Sequence, residues 1–252
     1  MSDRFRLDGQ VALVTGASRN IGAAIALAFA EAGSDLVLVA RGVDGLDAVA
    51  ARIADEWPAR RVVTIAADVS VADDVARIAA RALDEFGAVD TLVNNAATTG
   101  TPALSMDLPD GALEEVFGAN VFAPFRLIRA LVPAMLESGR GGSVVNVLSG
   151  AGFQPVPRTL PYGASKAALW LMTRSLAVEL APKVRVNAVV PGLVTEDGRP
   201  RYEGQQQMVE ATVPFGRMGR ADEIAGAAVY LASPAASYTS GAVITCNGAR
   251  LW

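Results

Sequence analysis

The chain has 252 residues, a formal net charge of −4 and a hydrophobic content of 52%, which suits one α/β domain with a large core. It contains no histidine and a single cysteine, Cys246, so histidine-based catalytic triads, histidine-ligated metals, internal disulfides and multi-cysteine metal sites are excluded. No block of like charges is present, and we therefore expect neither nucleic acid nor a charged membrane surface as a partner.

The chain begins with polar and charged residues, MSDRFRLDGQ, and no apolar run approaches the roughly 18 residues of a membrane span. We therefore expect a soluble, cytoplasmic protein with no membrane partner. Any catalyst must be built from tyrosine, lysine, serine, aspartate, glutamate or a cofactor.

The first turn of the chain, TGASRNIG at residues 15–22, joins a predicted buried strand to a predicted helix. Gly16 permits close approach of the backbone, and Gly22 lets the helix pack on the strand. The helix start offers free N–H groups and a positive dipole end to a pyrophosphate, with Ser18 and Arg19 as further donors. The spacing matches neither G-x-G-x-x-G nor a Walker loop, so an ordinary strand–helix connection is the alternative.

The second predicted strand, 35–40, ends where dinucleotide folds place an acidic residue that holds the adenosine ribose. This chain has Ala40 and Arg41 there instead. Arg41 and the nearby Arg19 can clamp a 2′-phosphate through charge-assisted hydrogen bonds, which favours NADP(H) over NAD(H). Two solvated surface arginines are the alternative interpretation.

Strands and helices alternate along the chain, which predicts a doubly wound (Rossmann) α/β fold. We expect residues 1–252 to form a single domain around a mostly parallel, seven-stranded sheet with helices on both faces. The predicted strands are 11–14, 35–40, 61–66, 89–94, 143–148, 184–190 and 242–246, and the predicted later helices are about 44–57, 72–86, 112–137, 161–181 and 221–232.

Polar residues follow several of these strands, at the edge of the sheet where open α/β folds bind ligands. Asp68 and Val69 follow the third strand, where the carboxylate either meets the adenine amino group or caps a turn. Asn94 and Asn95 end the fourth strand and can satisfy exposed backbone groups there. Ser149 stands at the end of the fifth strand.

Two helical positions carry further candidate chemistry. Tyr162 and Lys166 are four residues apart and share a helical face, so the ammonium can stabilise a phenolate. Asn120 lies among apolar neighbours in the long predicted helix, where its amide is either satisfied locally or holds a water. A Gly-, Gln- and charge-rich loop runs from the sixth strand to about residue 207, and its length suggests a lid over about 193–212.

Taken together, these motifs resemble the short-chain dehydrogenase/reductase family over essentially the whole chain. The resemblance rests on TGASRNIG at 15–22, NNAA at 94–97, Asn120, Ser149, YGASK at 162–166 and PGLVT at 191–195. It implies that Tyr162 donates the proton to a carbonyl oxygen and that Ser149 hydrogen-bonds to the same group. It also implies that Lys166 holds the nicotinamide ribose and lowers the pKa of Tyr162, and that Asn120 positions a relay water.

The resemblance also places the cofactor, with Thr195 and the Val194 backbone expected at the carboxamide. The predicted cofactor site is Gly16, Ser18, Arg19, Asn20, Ile21, Gly22, Arg41, Asp68, Val69, Asn95, Ala96, Ala97, Tyr162, Lys166, Pro191, Gly192, Val194 and Thr195. Substrate contacts are expected at Gly150, Phe153 and Leu193, and no metal is expected.

The chain departs from the family pattern at three places. Asn20 replaces the usual second glycine of the first loop, which is tolerable because asparagine visits left-handed backbone angles. Ala97 replaces a glycine after the paired asparagines, which loosens the expected approach to the adenosine ribose. Residues 245–249 read TCNGA where the family often has Asp-Gly-Gly, a departure at the last turn and the subunit contacts near it and not at the active site.

These observations predict an NADPH-dependent oxidoreductase that interconverts a ketone or keto ester with a secondary alcohol, assembled as a homotetramer by family resemblance. One alternative is a reductase of 3-oxoacyl thioesters on an acyl carrier protein, with Arg126 and Arg129 as basic contacts. Val178 stands where similar reductases often carry an arginine. A catalytically silent NADP-binding sensor or scaffold is the second alternative.

Overall fold

Seven parallel strands form the central sheet in the computed structural model, which describes residues 3–250. The strands are β1 (Val11–Thr15), β2 (Asp35–Ala40), β3 (Val62–Ala66), β4 (Thr91–Asn94), β5 (Gly142–Val147), β6 (Val184–Pro191) and β9 (Val243–Cys246). Their order across the sheet is β3-β2-β1-β4-β5-β6-β9. This confirms the predicted doubly wound α/β fold with a seven-stranded sheet.

Eight α-helices connect the described strands. They are α1 (Asn20–Ala32), α2 (Val43–Glu56), α3 (Ala72–Phe86), α4 (Ala112–Phe117), α5 (Ala123–Glu137), α6 (Leu160–Glu179), α7 (Gln205–Thr212) and α8 (Asp222–Ala232). Because successive strand residues point to opposite faces, Ala12 and Val14 pack against α1, α2 and α8, while Val11 and Leu13 pack against α3, α5 and α6. The sheet is therefore covered on both faces.

The predicted helix over 112–137 is interrupted in the structure. A π-helical segment, Gly118–Phe122, separates α4 from α5, and the Ala123 N–H bonds to the Gly118 carbonyl oxygen. Pro124 lacks the N–H that would bond to the Asn120 carbonyl in a regular α-helix, which favours the wider helical pattern. The interruption places Asn120 in the irregular segment.

The combined stretch Ala112–Glu137 has 26 residues and is long and apolar enough to cross a membrane by length and composition. An 18-residue window within it has a mean hydropathy of 1.3 and is 44% buried. From the sequence we expect no apolar run of this length. One helix of this kind is weak evidence for a membrane span, because the core helix of a soluble protein has the same length and apolar composition. Here Leu127, Ile128 and Leu131 of α5 are buried against the sheet.

The loop predicted to extend to about residue 207 contains regular structure. Two short strands, β7 (Val194–Thr195) and β8 (Gly219–Arg220), pair in parallel as a second small sheet. Helix α7 follows within the predicted lid, and Val209 on it is buried with Val213 and Met218. The Gly-, Gln- and charge-rich composition of this region did not indicate an apolar cluster, because Val209, Val213 and Met218 form it only when the segment is folded.

Candidate active site

A groove of about 720 Å³ lies at the carboxyl ends of β1 to β4, beside the point at which the strand order reverses. Twelve of the predicted cofactor residues line it: Gly16, Ser18, Arg19, Asn20, Ile21, Gly22, Arg41, Asp68, Val69, Asn95, Ala96 and Ala97. The N-terminus of α1 lies at this groove, so free N–H groups and the positive dipole end are available to an anion. The groove fits a dinucleotide.

The first loop reaches the groove through two left-handed residues, Gly16 with φ +65° and Asn20 with φ +51°. Asparagine thus supplies the conformation for which the family pattern uses glycine. The Asn20 Oδ1 atom is buried and has no hydrogen-bond partner within residues 3–250. A buried polar atom without a partner, in a loop that lines the groove, fits a site that a bound group completes.

The end of β4 is fastened to the first loop by Asn95 and Thr15. The Asn95 Nδ2 atom donates to the Thr15 carbonyl oxygen at 2.9 Å and to the Gly16 carbonyl oxygen at 3.2 Å. The Thr15 hydroxyl oxygen accepts N–H groups from Asn95 and Ala96 at 3.0 and 3.1 Å. The expectation that an amide here satisfies exposed backbone groups is confirmed for Asn95.

Charged side chains line the adenosine end of the groove. Arg19 and Arg41 are exposed and form no ion pair with another described residue. The Asp68 Oδ1 atom accepts hydrogen bonds from the Ser70 N–H at 2.9 Å and the Ser70 hydroxyl at 2.7 Å. Asp68 therefore caps its own turn while also lining the groove, so both interpretations of this carboxylate agree with the structure.

Ser149 and Tyr162 meet because two glycines allow the turn after β5 to touch α6. A Cβ at Gly152 would lie 2.9 Å from the α6 backbone, and one at Gly163 would lie 2.8 Å from a carbonyl oxygen of that turn. With no Cβ at either position, the turn packs directly on the helix. The Ser149 hydroxyl and the Tyr162 phenol are thereby brought within hydrogen-bonding reach.

Burial dominates the ionisation of both proposed catalytic groups on α6. It raises the pKa of Tyr162 above its ordinary value of 10.0, while the hydrogen bond with Ser149 acts in the opposite direction. Lys166 is 2% exposed, and burial lowers its pKa to about 8. Its Nζ atom donates to the Val147 carbonyl oxygen at 2.7 Å and lies 5.8 Å from the centre of the Tyr162 ring.

That Lys166 lowers the pKa of Tyr162 stays a prediction. The ammonium is directed to the end of β5 and lies beside the ring, and the pKa of the phenol is raised by burial.

Asn120 is fully buried, and its side chain is satisfied by protein atoms. Its Oδ1 atom accepts the Thr98 N–H at 2.9 Å, and its Nδ2 atom donates to the Thr98 carbonyl oxygen and to the Ser165 hydroxyl, each at 2.9 Å. Of the two possibilities for this amide, the structure shows local satisfaction. The Asn120 main-chain carbonyl oxygen lacks its α-helical donor at Pro124, so it is an acceptor that a relay water could use.

The predicted carboxamide-binding residues lie at the end of β6 and directly after it. Gly192 and Val194, together with Leu193 of the predicted substrate site, line a separate cavity of about 430 Å³, and Pro191 ends β6. The Thr195 hydroxyl donates to the Arg199 carbonyl oxygen at 3.0 Å. The contact of these residues with a carboxamide stays a prediction.

The other two predicted substrate residues lie in the turn beside Ser149. Gly150 opens a short 3-10 turn, Gly150–Gly152. The Phe153 ring packs on the Trp170 ring of α6 with 5.4 Å between centres. Phe153 therefore belongs to a small apolar cluster at the edge of the site. No group of three or more cysteine, aspartate or glutamate side chains that could hold a metal occurs in the described part of the chain.

Sequence reasoning missed several residues of this region. Thr98 and Glu115 line the groove, and Thr15 and Ser165 make the hydrogen bonds described above. Thr15 and Ser165 both lie inside motifs that were recognised, and a hydroxyl side chain at a predicted buried position was the available signal.

A family model described as enoyl-(acyl carrier protein) reductase matches residues 16–248. An uncharacterized oxidoreductase of Mycobacterium tuberculosis is 40% identical over 249 residues, covering 98% of this chain and 94% of that protein. L-sorbose reductase from Gluconobacter frateurii, solved with NADPH and L-sorbose, superposes with a TM-score of 0.92 at 32% identity, covering 98% of each chain. A 7α-hydroxysteroid dehydrogenase solved with NADH and a 7-oxo bile acid gives a TM-score of 0.91 at 31% identity, covering 100% of this chain and 98% of that chain.

A dinucleotide-binding groove beside a serine, a tyrosine and a lysine side chain is typical of nicotinamide-dependent oxidoreductases. The chain belongs to the short-chain dehydrogenase/reductase family.

Proposed function

We propose that this protein is an NADPH-dependent carbonyl reductase that interconverts a ketone or keto ester with a secondary alcohol. The observation that carries the proposal is the meeting of Ser149, Tyr162 and Lys166 at the end of β5, next to the dinucleotide groove. Two of the solved relatives are named for a sugar ketone, L-sorbose, and for a hydroxysteroid.

In the proposed reaction Tyr162 donates its phenolic proton to the carbonyl oxygen of the substrate, and Ser149 donates a hydrogen bond to the same oxygen. Bound NADPH supplies the hydride to the carbonyl carbon. The raised pKa of Tyr162 keeps the phenol protonated at neutral pH, as an acid for reduction must be. Lys166, with its pKa at about 8, remains mostly charged at pH 7 and balances the developing phenolate.

NADP(H) is proposed over NAD(H) because of the charges at the adenosine end of the groove. Ala40 ends β2 with no carboxylate, and Arg19 and Arg41 line the groove without an ion-pair partner among the described residues. Two such guanidinium groups match a 2′-phosphate in charge and geometry. The cofactors named with the two solved relatives are NADPH and NADH, so this preference depends on the residues of this chain.

A 3-oxoacyl thioester on a carrier protein is the second candidate substrate. The matching family model is described as an acyl-carrier-protein reductase. Arg126 and Arg129 lie over the rings of Phe122 and Phe125 and form no ion pair with another described residue, so both cations are available to an acidic partner. Val178, which is 80% exposed, supplies no positive charge on α6.

A homotetramer is proposed as the assembly, in the cytoplasm. Large apolar side chains are exposed on α5 and α6, among them Phe125 at 43%, Leu171 at 61% and Val178 at 80%. Apolar surface of this kind is buried when copies associate.

The proposal is tested by measuring NADPH oxidation with ketones, keto esters and a 3-oxoacyl thioester in parallel, with NADH as the cofactor control. We expect turnover with NADPH and a free ketone or keto ester. Turnover only with the thioester would select the carrier-protein reductase. Tight NADPH binding without reduction of any substrate would select the silent sensor.

A further inference from the structure

Ser165 is a buried hydroxyl that the proposed reaction does not use. It lies on α6, three residues after Tyr162 and directly before Lys166, and it is 0% exposed. Its Oγ atom donates to the Tyr162 carbonyl oxygen at 2.7 Å and accepts a hydrogen bond from Asn120 Nδ2 at 2.9 Å. Because a hydroxyl has one hydrogen, giving it to Tyr162 leaves the oxygen free only to accept from Asn120.

The Asn120 amide is held on its other side by the main chain of Thr98. Oδ1 accepts the Thr98 N–H and Nδ2 donates to the Thr98 carbonyl oxygen, which fixes the orientation of the amide and points its second N–H at Ser165. Thr98 lies in the segment after β4 and also lines the dinucleotide groove. One hydroxyl therefore joins the cofactor groove, the π-helical segment and α6.

We propose that Ser165 is a positioning residue for Tyr162. Its hydroxyl holds the Asn120 amide and the main chain of Tyr162 together, and this connection keeps the phenol beside Ser149. The inference rests on the proposed function, in which Tyr162 is the proton donor. In a fully buried network the loss of one member leaves its partner unsatisfied, so the arrangement shifts until Asn120 finds another acceptor.

The chain contains a matched control for this network on the same helix. The Thr173 hydroxyl donates to the Leu169 carbonyl oxygen at 2.7 Å and accepts from Asn146 Nδ2 at 2.9 Å, and Thr173 is also 0% exposed. It lies about 16 Å further along the helix axis from Tyr162. Removing this hydroxyl disturbs a buried network of the same kind away from the reacting groups.

The experiment compares Ser165→Ala with Thr173→Val in steady-state kinetics and thermal unfolding. We expect kcat of Ser165→Ala to fall roughly 10- to 100-fold, the scale of a small misplacement of a catalytic group, with KM for NADPH little changed. Thr173→Val should keep the wild-type kcat. Its Tm should fall by about as much as the Tm of Ser165→Ala. Ser165→Thr, which retains the hydroxyl, should recover part of kcat. Equal kcat in Ser165→Ala and Thr173→Val would overturn the proposal.

A second measurement needs no turnover and so separates this inference from the proposed function. The ionisation of Tyr162 is followed by tyrosinate absorbance as the difference between each protein and its Tyr162→Phe counterpart. We expect Ser165→Ala to raise the midpoint by at least about 0.5 pH unit, because the phenol loses its fixed contact with Ser149, and Thr173→Val to leave it unchanged.

Equal midpoints in the two variants would overturn the role of Ser165 even if the wild type reduces ketones. A shifted midpoint in a protein that reduces no carbonyl compound would retain the role of Ser165 and reject the proposed function. Ser165→Cys, which keeps the side-chain volume and weakens the hydrogen bonds, takes the place of Ser165→Ala if that variant does not fold.

Discussion

The Lys166 ammonium donates a 2.7 Å hydrogen bond to the carbonyl oxygen of Val147, the last residue of β5. This bond connects α6 to the strand whose end carries Ser149. Because Lys166 is 2% exposed, its charge is held in a region of low dielectric, and burial lowers its pKa to about 8 from an ordinary value of 10.5.

This pKa predicts a pH dependence for the proposed reduction. The charged form of Lys166 predominates only below about pH 8, so kcat/KM for NADPH, which reports the free enzyme, should fall about tenfold per pH unit above that value. Initial rates from pH 6 to 10 measure it. A flat profile up to pH 10 would contradict the account of Lys166. Between about pH 8 and pH 10.5 the free energy of unfolding should rise with pH, whereas kcat/KM falls. In this range Lys166 binds its proton in the unfolded chain and has lost it in the folded protein.

The arginines of the groove predict how cofactor preference can be changed. Replacing Ala40 by Asp together with Arg41→Ser should shift preference toward NADH by roughly 1–3 kcal/mol, because it removes a charged hydrogen-bond donor and installs a ribose acceptor. The ratio of kcat/KM for NADPH to that for NADH measures the shift. Arg52→Ser on α2, which removes an exposed arginine paired with Glu56, is the control and should leave the ratio unchanged. Equal use of both cofactors by the wild type would reject the clamp.

Two helical glycines should respond in opposite ways to alanine. A Cβ at Gly22 would come within 2.5 Å of the Asn95 side-chain nitrogen and closer still to the Gly16 carbonyl oxygen, whereas one at Gly226 would meet nothing within 4 Å. Gly22→Ala should therefore destabilise the protein by roughly 1–3 kcal/mol and weaken NADPH binding. Gly226→Ala should stabilise it by roughly 0.4–1 kcal/mol without affecting binding. Chemical denaturation and NADPH titration test both, and similar changes in the two variants would contradict the packing argument.

The exposed apolar residues of α6 predict an effect on assembly. Leu171→Glu combined with Val178→Glu should dissociate the proposed tetramer, because carboxylates would be placed in the apolar contact. Light scattering at micromolar concentration measures the mass. Val71→Glu, at a residue that is 48% exposed before α3, is the control and should leave the mass unchanged. A monomeric wild type would reject the tetramer.

The alternation of strands and helices was predictable because each element buries its own apolar face, and the seven strands of the sheet follow from local patterns. The bonds of Asn95 with Thr15 were not predictable in detail, since they require β1 and β4 to be neighbours and the partners are 80 positions apart in the sequence. The break at Asn120 depends on Pro124 and on the buried acceptor Ser165. Each of these features depends on contacts between different secondary-structure elements, which the sequence of one segment does not show.

The region after β6 differed most from expectation for a similar reason. Helix α7 is short and polar on its surface, and Val209 becomes a core residue only beside Val213 and Met218. The Thr195 hydroxyl bonds to the main chain of Arg199 four residues later, a contact that the local sequence pattern does not indicate. The local sequence identifies the residues of this region, but it does not show which other residues they contact.

The central claim is that Tyr162 is the proton donor, and Tyr162→Phe tests it most directly when kcat for ketone reduction is measured beside NADPH titration by fluorescence. We expect kcat to fall by at least roughly 10²–10⁴-fold with NADPH affinity retained, because only the phenolic proton is removed. Ser149→Ala should raise the barrier by about 2–4 kcal/mol, and Lys166→Ala should lose turnover and NADPH affinity together. Tyr238→Phe, at a fully exposed tyrosine, serves as the control. A Tyr162→Phe enzyme that turns over near the wild-type rate would contradict the account.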